Sequence, residues 1–272
     1  MIYLGTHGRM VGIACPAEQR LGTAERFSFQ TTLEGRVKAQ VRPVGRRVWD
    51  LRLPRTSTPS EVAALAAFAN GDWGPGPFWF VSADAPVVNL LSHAATQGPF
   101  SGYVDGGPVQ LDSGQWAPFS SRRPDFSAGG IAFSGSTTDP PVIPGVPVTG
   151  SAWVFGASGS VMLQFIDAAG VIVHTVQTPS AQRVPSGSVH PVRVHVTGVA
   201  PDNAVRVRLT ARDALYALNP AVTWTDQPYE FGDGQGCPKA VVLGGQRNLV
   251  QALDASANGR YADYSFTVQE VG

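Results

Sequence analysis

The stretch Thr58–Asn89, TPSEVAALAAFANGDWGPGPFWFVSADAPVVN, decides the fold. Thr58 suits a helix cap, Pro59 suits the first helical position, and Glu61 stands three residues after the cap, where its carboxylate completes a capping box. Val62, Leu65 and Phe68 fall on one face. Ala63, Ala64, Ala66, Ala67 and Ala69 fill the remainder without bulk, and Asn70-Gly71 supplies a left-handed stop. A short, small-sided helix results, able to lie against a sheet or against a neighbouring subunit. Rigid Gly-Pro turns follow, and Pro77–Val81 (PFWFV) then reads as a compact strand. No other segment of the 272 residues gives a convincing helix signal; Gly and Pro between short apolar runs indicate strands joined by tight turns.

Working outward, the residues before the helix read as hairpins. Phe27, Phe29, Thr31 and Leu33 alternate with Ser28, Gln30 and Thr32, and Glu34-Gly35 offers a turn into Arg36–Val41. Trp49, Leu51 and Leu53 continue the alternation. After the helix the chain changes character from Asn89-Leu90-Leu91 to about Tyr229, becoming rich in Ser, Gly and Pro with evenly spaced strands, a sandwich pattern. Its strands are expected at Gly150–Phe155, Val161–Ile166, Val171–Val176, Val192–Thr197 and Val205–Thr210, with a hairpin turn at Asp167–Gly170. In VRVHVT and VRVRLT the valines and Leu209 form the apolar row, while Arg193, His195, Arg206 and Arg208 project to the other face. Trp153 and Trp224 read as core.

From Gly232 the spacing changes again. GDGQGCP reads as a hinge-like loop, Lys239–Leu243 and Gln246–Leu253 flank a Gly244-Gly245 turn, and Tyr264–Val271 is a last alternating strand. These strands supply partners missing from the first segment. The expected organisation is therefore a discontinuous domain of residues 1–88 and 231–272, with a β-sandwich of residues 89–230 inserted into it.

Composition narrows the function classes. Twenty Lys and Arg balance twenty Asp and Glu, and the charged fraction is 15%. That argues against nucleic-acid binding by phosphate neutralisation, which needs clustered excess cations. No run reaches membrane-spanning length, and the N-terminus lacks the charged start and sustained apolar core of a signal peptide, so no membrane anchor is expected. Cys15 and Cys237 both precede Pro and are neighbours if the termini pair; free thiols are the simpler reading.

Three segments carry a family resemblance: LEGRVKAQVRPVGRRVWDLRL (33–53), TPSEVAALAAFANGDWGPGPFWFVSADAPVVNLL (58–91) and YSFTVQEVG (264–272). They resemble the distal tail proteins of long, flexible-tailed phages, in the form common among phages of actinobacteria. The resemblance implies a mainly β protein, with a tail-tube-like β-sandwich carrying one α-helix. It further implies a homo-oligomeric ring, usually a hexamer, between the tail tube protein and the tail tip or hub proteins. Such a protein is made in the host cytoplasm, resides in the virion at the tail tip, and lets the genome pass without sequence-specific binding. The middle segment resembles carbohydrate-binding jelly rolls of the kind appended to glycanases, through NLLS (89–92), VIPGVPVTGSAWVF (142–155), LQFIDAAGVIV (163–173), the strands at 192–210 and NPAVTWTD (219–226). This implies contact with host cell-surface glycan; the alternative is a carbohydrate-binding module of a glycan-active protein.

Candidate site residues follow from chemistry. Sugars stack on exposed aromatic faces, which singles out Trp116, Phe119 and Tyr216 in loop-like, polar surroundings, with core packing as the competing role. Trp73 and Trp79, beside GPGP, are candidates for a wedge between subunits. Asp112, Asp125, Asp139, Asp167 and Asp226 lie near Gly, Ser or Pro, where Asp organises turns. His7, His93, His174, His190 and His195 have no metal-ligand spacing. Ser158 in GASGS approaches a nucleophile motif but precedes no helix. The expectation is no catalytic residue, no enzymatic activity, no metal and no cofactor.

Overall fold

The computed structural model describes residues 1–23, 27–31, 36–41, 46–54, 57–97, 103–104, 107–108, 110–112, 121–123, 130–188, 190–214, 216–252 and 260–271. The protein is mainly β, built from antiparallel sheets with few helices. It divides into two compact units. One comprises Met1–Leu4, Val11–Phe78 and Lys239–Gly272; the other comprises Gly5–Met10 and Trp79–Pro238.

In the first unit the helix spans Pro59–Asn70. Thr58 Oγ1 accepts a hydrogen bond from the Glu61 amide at 3.3 Å, and Glu61 Oε2 accepts one from the Thr58 amide at 2.7 Å. The other carboxylate oxygen of Glu61 takes the Ala14 amide at 2.8 Å, tying the helix start to the N-terminal chain. Gly71 ends the helix at φ 84°, a left-handed conformation that glycine adopts without strain. Leu65 and Phe68 are buried, so the apolar stripe packs inside the chain. The Phe68 ring meets Trp73 at 4.7 Å and the edge of Phe78 at 4.9 Å.

The same unit holds an antiparallel ladder in which Arg260–Glu270 lies between Cys237–Ala252 and Arg47–Arg52, with Glu18–Thr23 beyond the latter. Residues near both ends of the sequence thus build one sheet. Trp49 stands opposite Leu21 on one side and Val268 on the other, and Leu51 opposite Phe266. Trp49, Leu51, Phe266 and Val268 are all buried, each worth about 1.5–3 kcal/mol of removed apolar surface. Phe27–Thr31 pairs with Val37–Val41 in the expected hairpin, with Phe27 opposite Val41; its Glu34-Gly35 turn lies outside the described residues.

One expectation in this unit is corrected. Gly244-Gly245 is no turn between two strands, because Cys237–Ala252 is a single strand whose register with Arg260–Glu270 shifts between Leu243 and Gln246. A Cβ on Gly245 would meet the Phe266 ring, with Cδ1 at 2.8 Å. Glycine here permits close approach of a ring at a bulge.

The second unit is a two-sheet sandwich. Among the described residues one sheet has the order Gln110–Asp112, Ser121–Arg123, Tyr216–Thr223, Pro147–Phe155, Val192–Val199; the other has Ile131–Ala132, Arg206–Arg212, Ser160–Ile166, Ile172–Gln177. Val148, Ala152, Val154, Val194 and Val196 of the first sheet are buried, as are Val161, Leu163, Phe165, Val207 and Leu209 of the second. Gly150 faces Leu163 and Leu209 so closely that an added Cβ would lie 2.7 Å from each. The Asp167–Gly170 turn is present, with the Gly170 amide on the Asp167 carbonyl at 3.1 Å and the Val171 amide on Asp167 Oδ1 at 2.8 Å. A segment without helix signal nevertheless forms a short helix at His93–Gln97, started by Ser92, whose hydroxyl accepts from the Ala95 amide at 3.2 Å.

The supposed hinge at Gly232–Gly236 is packed. The Gln235 amide bonds to the Asn89 carbonyl at 2.9 Å and the Gly236 amide to the Leu91 carbonyl at 3.0 Å. A Cβ on Gly234 or Gly236 would collide with the carbonyls of Leu91 and Ser92 or of Leu90. Its glycines serve close backbone approach rather than freedom of movement.

Candidate functional site

Two polar constellations stand out, both in the second unit. The first surrounds Asp139, whose side chain is fully buried. Arg208 donates to it through Nε at 3.2 Å and Nη2 at 2.9 Å, and Ser134 donates its hydroxyl to Oδ1 at 2.7 Å. Arg206 stands 3.9 Å away and donates to the Ser136 carbonyl. Burial pushes the Asp139 carboxyl above its ordinary value, opposed by the hydrogen bonds from Arg208 and Ser134. Asp139 is therefore more than a turn residue, and Arg206 and Arg208 converge on it rather than simply meeting solvent. The Asp139 carbonyl lies 2.9 Å from His7 Nε2; a carbonyl only accepts, so that nitrogen carries the hydrogen. Burial lowers the His7 pKa from its ordinary value. Its ring lies 5.9 Å from that of Trp79. Trp79 is 3% exposed and its buried indole N–H has no partner among the described residues, so it presents no wedge to another subunit. Trp73, half-buried against Phe68, keeps part of its surface exposed.

The second constellation lies on the face of the Tyr216–Thr223, Pro147–Phe155, Val192–Val199 sheet that points away from the sandwich core. Strand alternation puts Thr149, Ser151 and Trp153 there, with Arg193 opposite Trp153 and His195 opposite Ser151. Residues 225–229 cross this face. Thr149 donates to the Thr225 carbonyl at 2.7 Å, and Arg193 Nη2 donates to the Tyr229 carbonyl and to Ser151 Oγ at 3.4 Å. Exposure rises along the row from 2% at Thr149 and 3% at Ser151 to 38% at Trp153. The reading of Trp153 as core is thus corrected: its neighbours Ala152 and Val154 take the inward positions. Trp224 is only partly buried and donates its indole N–H to the Pro141 carbonyl at 3.2 Å.

Of the expected glycan-contact residues, Trp116 and Phe119 lie outside the described residues. Tyr216 opens a strand rather than a loop, opposite Phe155 in register. The aromatic that sequence reasoning missed, Trp153, had a signal: the alternation that turns Arg193 outward also turns Trp153 outward once Ala152 and Val154 are placed inside. Cys15 and Cys237 are both free thiols, the first exposed and the second buried. Among the described residues no three His, Cys, Asp or Glu side chains gather as a metal-holding group, and no helix is long and apolar enough to cross a membrane.

No protein-family model and no curated protein matches the chain. A solved structure to which it is similar is the enzymatically active domain of tailspike protein 4 of bacteriophage CBA120, at 12% identity and a TM-score of 0.35, over 58% of this chain and 23% of that one. The expectation that the chain has no enzymatic activity is withdrawn on this finding, since that phage tail structure is an enzymatically active domain. A likeness of this size assigns neither a reaction nor a catalytic residue to the present chain.

Proposed function

We propose that this protein is a virion structural component that forms a ring at the distal end of a phage tail tube and connects it to the tail tip, with its sandwich unit reaching host-surface glycan. The observation that carries the reading is the ladder in which Arg260–Glu270 is flanked by Arg47–Arg52 and Cys237–Ala252, beside a single capped helix. The resemblance of segments 33–53, 58–91 and 264–272 to distal tail proteins anticipates that arrangement. Head-to-tail contacts between copies close such a ring, and its partners are further copies of itself, most simply six in all, the tail tube protein and the tip or hub proteins. An even charge balance suits a lumen through which the genome passes without being held. Several copies of a weak glycan site on one ring gain avidity without any new contact.

Light scattering on the purified chain, followed by electron imaging, tests this. A closed ring supports the reading, and a strict monomer at all concentrations overturns it. A second reading, a carbohydrate-binding module of a glycan-active protein, draws on the outward indole of Trp153, and a monomer that binds polysaccharide tightly selects it.

A further inference from the structure

Trp153 is the anomaly of its strand. Every other residue from Val148 to Val154 is buried, yet this indole is 38% exposed. Directly across the ladder, Arg193 is held by Ser151 and by the Tyr229 carbonyl, both through Nη2. Among the described residues its Nε and Nη1 donors have no acceptor. Tyr229 is itself 46% exposed, and its hydroxyl accepts from the side-chain Nε2 of Gln227 at 3.4 Å. Leu218, opposite Trp153 on the other side of its strand, is buried.

We propose that Trp153, Arg193 and Tyr229 form a binding site for one pyranose unit of a glycan chain, the C–H face of the sugar lying on the indole. This deepens the glycan-contact part of the functional reading above and rests on it. The ligand chemistry follows from the groups present. The indole is the one exposed side chain between Val148 and Val154 and offers an apolar patch the size of a sugar, whereas a protein partner of ordinary stability covers roughly 1,200 Å² or more with several apolar anchors. Among the described side chains of this sheet the other exposed large apolar one, Val199, pairs with Pro147 at the far end of the ladder from Trp153. A sugar also needs donors at the edge of the ring, and the Arg193 fork, fixed before ligand arrives, supplies two for hydroxyl or carboxylate oxygens with little ordering penalty.

The test uses the full-length chain on an array of neutral and uronic-acid hexopyranose oligosaccharides, followed by calorimetric titration with the best-retained oligosaccharide. W153A is expected to weaken binding about tenfold or more, the equivalent of removing about 1.4 kcal/mol. W153F retains part of it, and R193A weakens it with the stacking ring intact. Thermal melting of each variant checks the fold, which an exposed ring and a rim arginine leave in place. Absence of any retained glycan at millimolar concentration overturns the proposal, as does binding that W153A leaves unchanged. Loss of self-association in W153A without glycan binding overturns it too, because the indole then seats a second copy. Light scattering on the same samples separates the two readings: a monomer that binds through Trp153 sinks the ring alone, and a ring whose glycan binding W153A leaves unchanged sinks this site alone.

Discussion

Arg47 and Glu270, 223 positions apart, are joined by three hydrogen bonds: the Arg47 amide and Nε reach Glu270 Oε2 at 3.2 and 3.1 Å, and Nη2 reaches Oε1 at 3.2 Å. The guanidinium also lies 5.0 Å from the centre of the Trp49 ring. Both side chains are mostly buried, 14% and 25% exposed, so water competes weakly for the pair. It pins the last strand to Arg47–Arg52, where the closing ladder begins. E270A removes all three of these hydrogen bonds and is expected to cost about 1–3 kcal/mol of stability in a urea titration. A double-mutant cycle with R47A checks the origin. Additive losses would mean that the two side chains act separately and that the contact does not secure the ladder.

Asn89 performs the corresponding task in the sandwich unit. Its Oδ1 accepts from the Leu91 and Val222 amides, both at 3.1 Å, and its Nδ2 donates to the Pro220 and Gly232 carbonyls, both at 3.0 Å. The side chain is fully buried, so N89A takes one hydrogen bond from each of four backbone groups with no water to replace it. The expected loss is about 3–5 kcal/mol, with faster amide exchange at Gln235 and Gly236. G236A, which drives a methyl group into the Leu90 carbonyl, is expected to mimic it at about 1–3 kcal/mol. Unchanged exchange in both variants would mean that Gly232–Gly236 moves freely, as a hinge.

The elements that could be read from the residues are those with local signals. The Thr58–Glu61 capping box, the Gly71 stop, the Asp167–Gly170 turn and the alternating strands of the sandwich all depend on neighbours within a few positions. What escaped depends on distant partners. Asp139 looks like a turn aspartate because nothing near it announces Arg206 and Arg208, and Gly244-Gly245 looks like a turn because Phe266 is 21 residues beyond Gly245. Trp153 lay between, legible from strand parity but hidden by the habit of placing tryptophan inside.

The paired glycines offer a sharp comparison. A Cβ on Gly244 meets nothing within 4 Å, whereas one on Gly245 falls against the buried Phe266 ring. G244A is therefore expected to change stability by less than about 0.5 kcal/mol, and G245A to lower it by about 1–3 kcal/mol. Chemical denaturation of the two variants decides it. Equal effects would mean that the pair serves as a flexible turn and that the bulge reading is wrong.

His7 gives the chain a dependence on pH with a predictable sign. Its ring faces the Asp139 carbonyl, the charged Arg206 and the Trp79 indole, and burial is the largest cause of its lowered pKa. The folded protein therefore releases the His7 proton more readily than the unfolded chain, whose value stays near 6.5. Above that value neither state binds the proton and the contribution of His7 is fully present. As the pH falls through 6.5 toward the lower folded value, the unfolded chain takes up the proton first and stability drops. Asp139, held above its ordinary value by burial, works in the opposite direction, because its folded form takes up a proton at higher pH than the unfolded chain. The difference between wild type and H7Q isolates the histidine, since glutamine can still donate to the Asp139 carbonyl but does not titrate. Urea midpoints measured between pH 8 and 5 are expected to fall more steeply below 6.5 in wild type than in H7Q. Parallel curves would mean that His7 titrates in the folded protein as it does in the open chain, and that its burial against Trp79 does not shape stability.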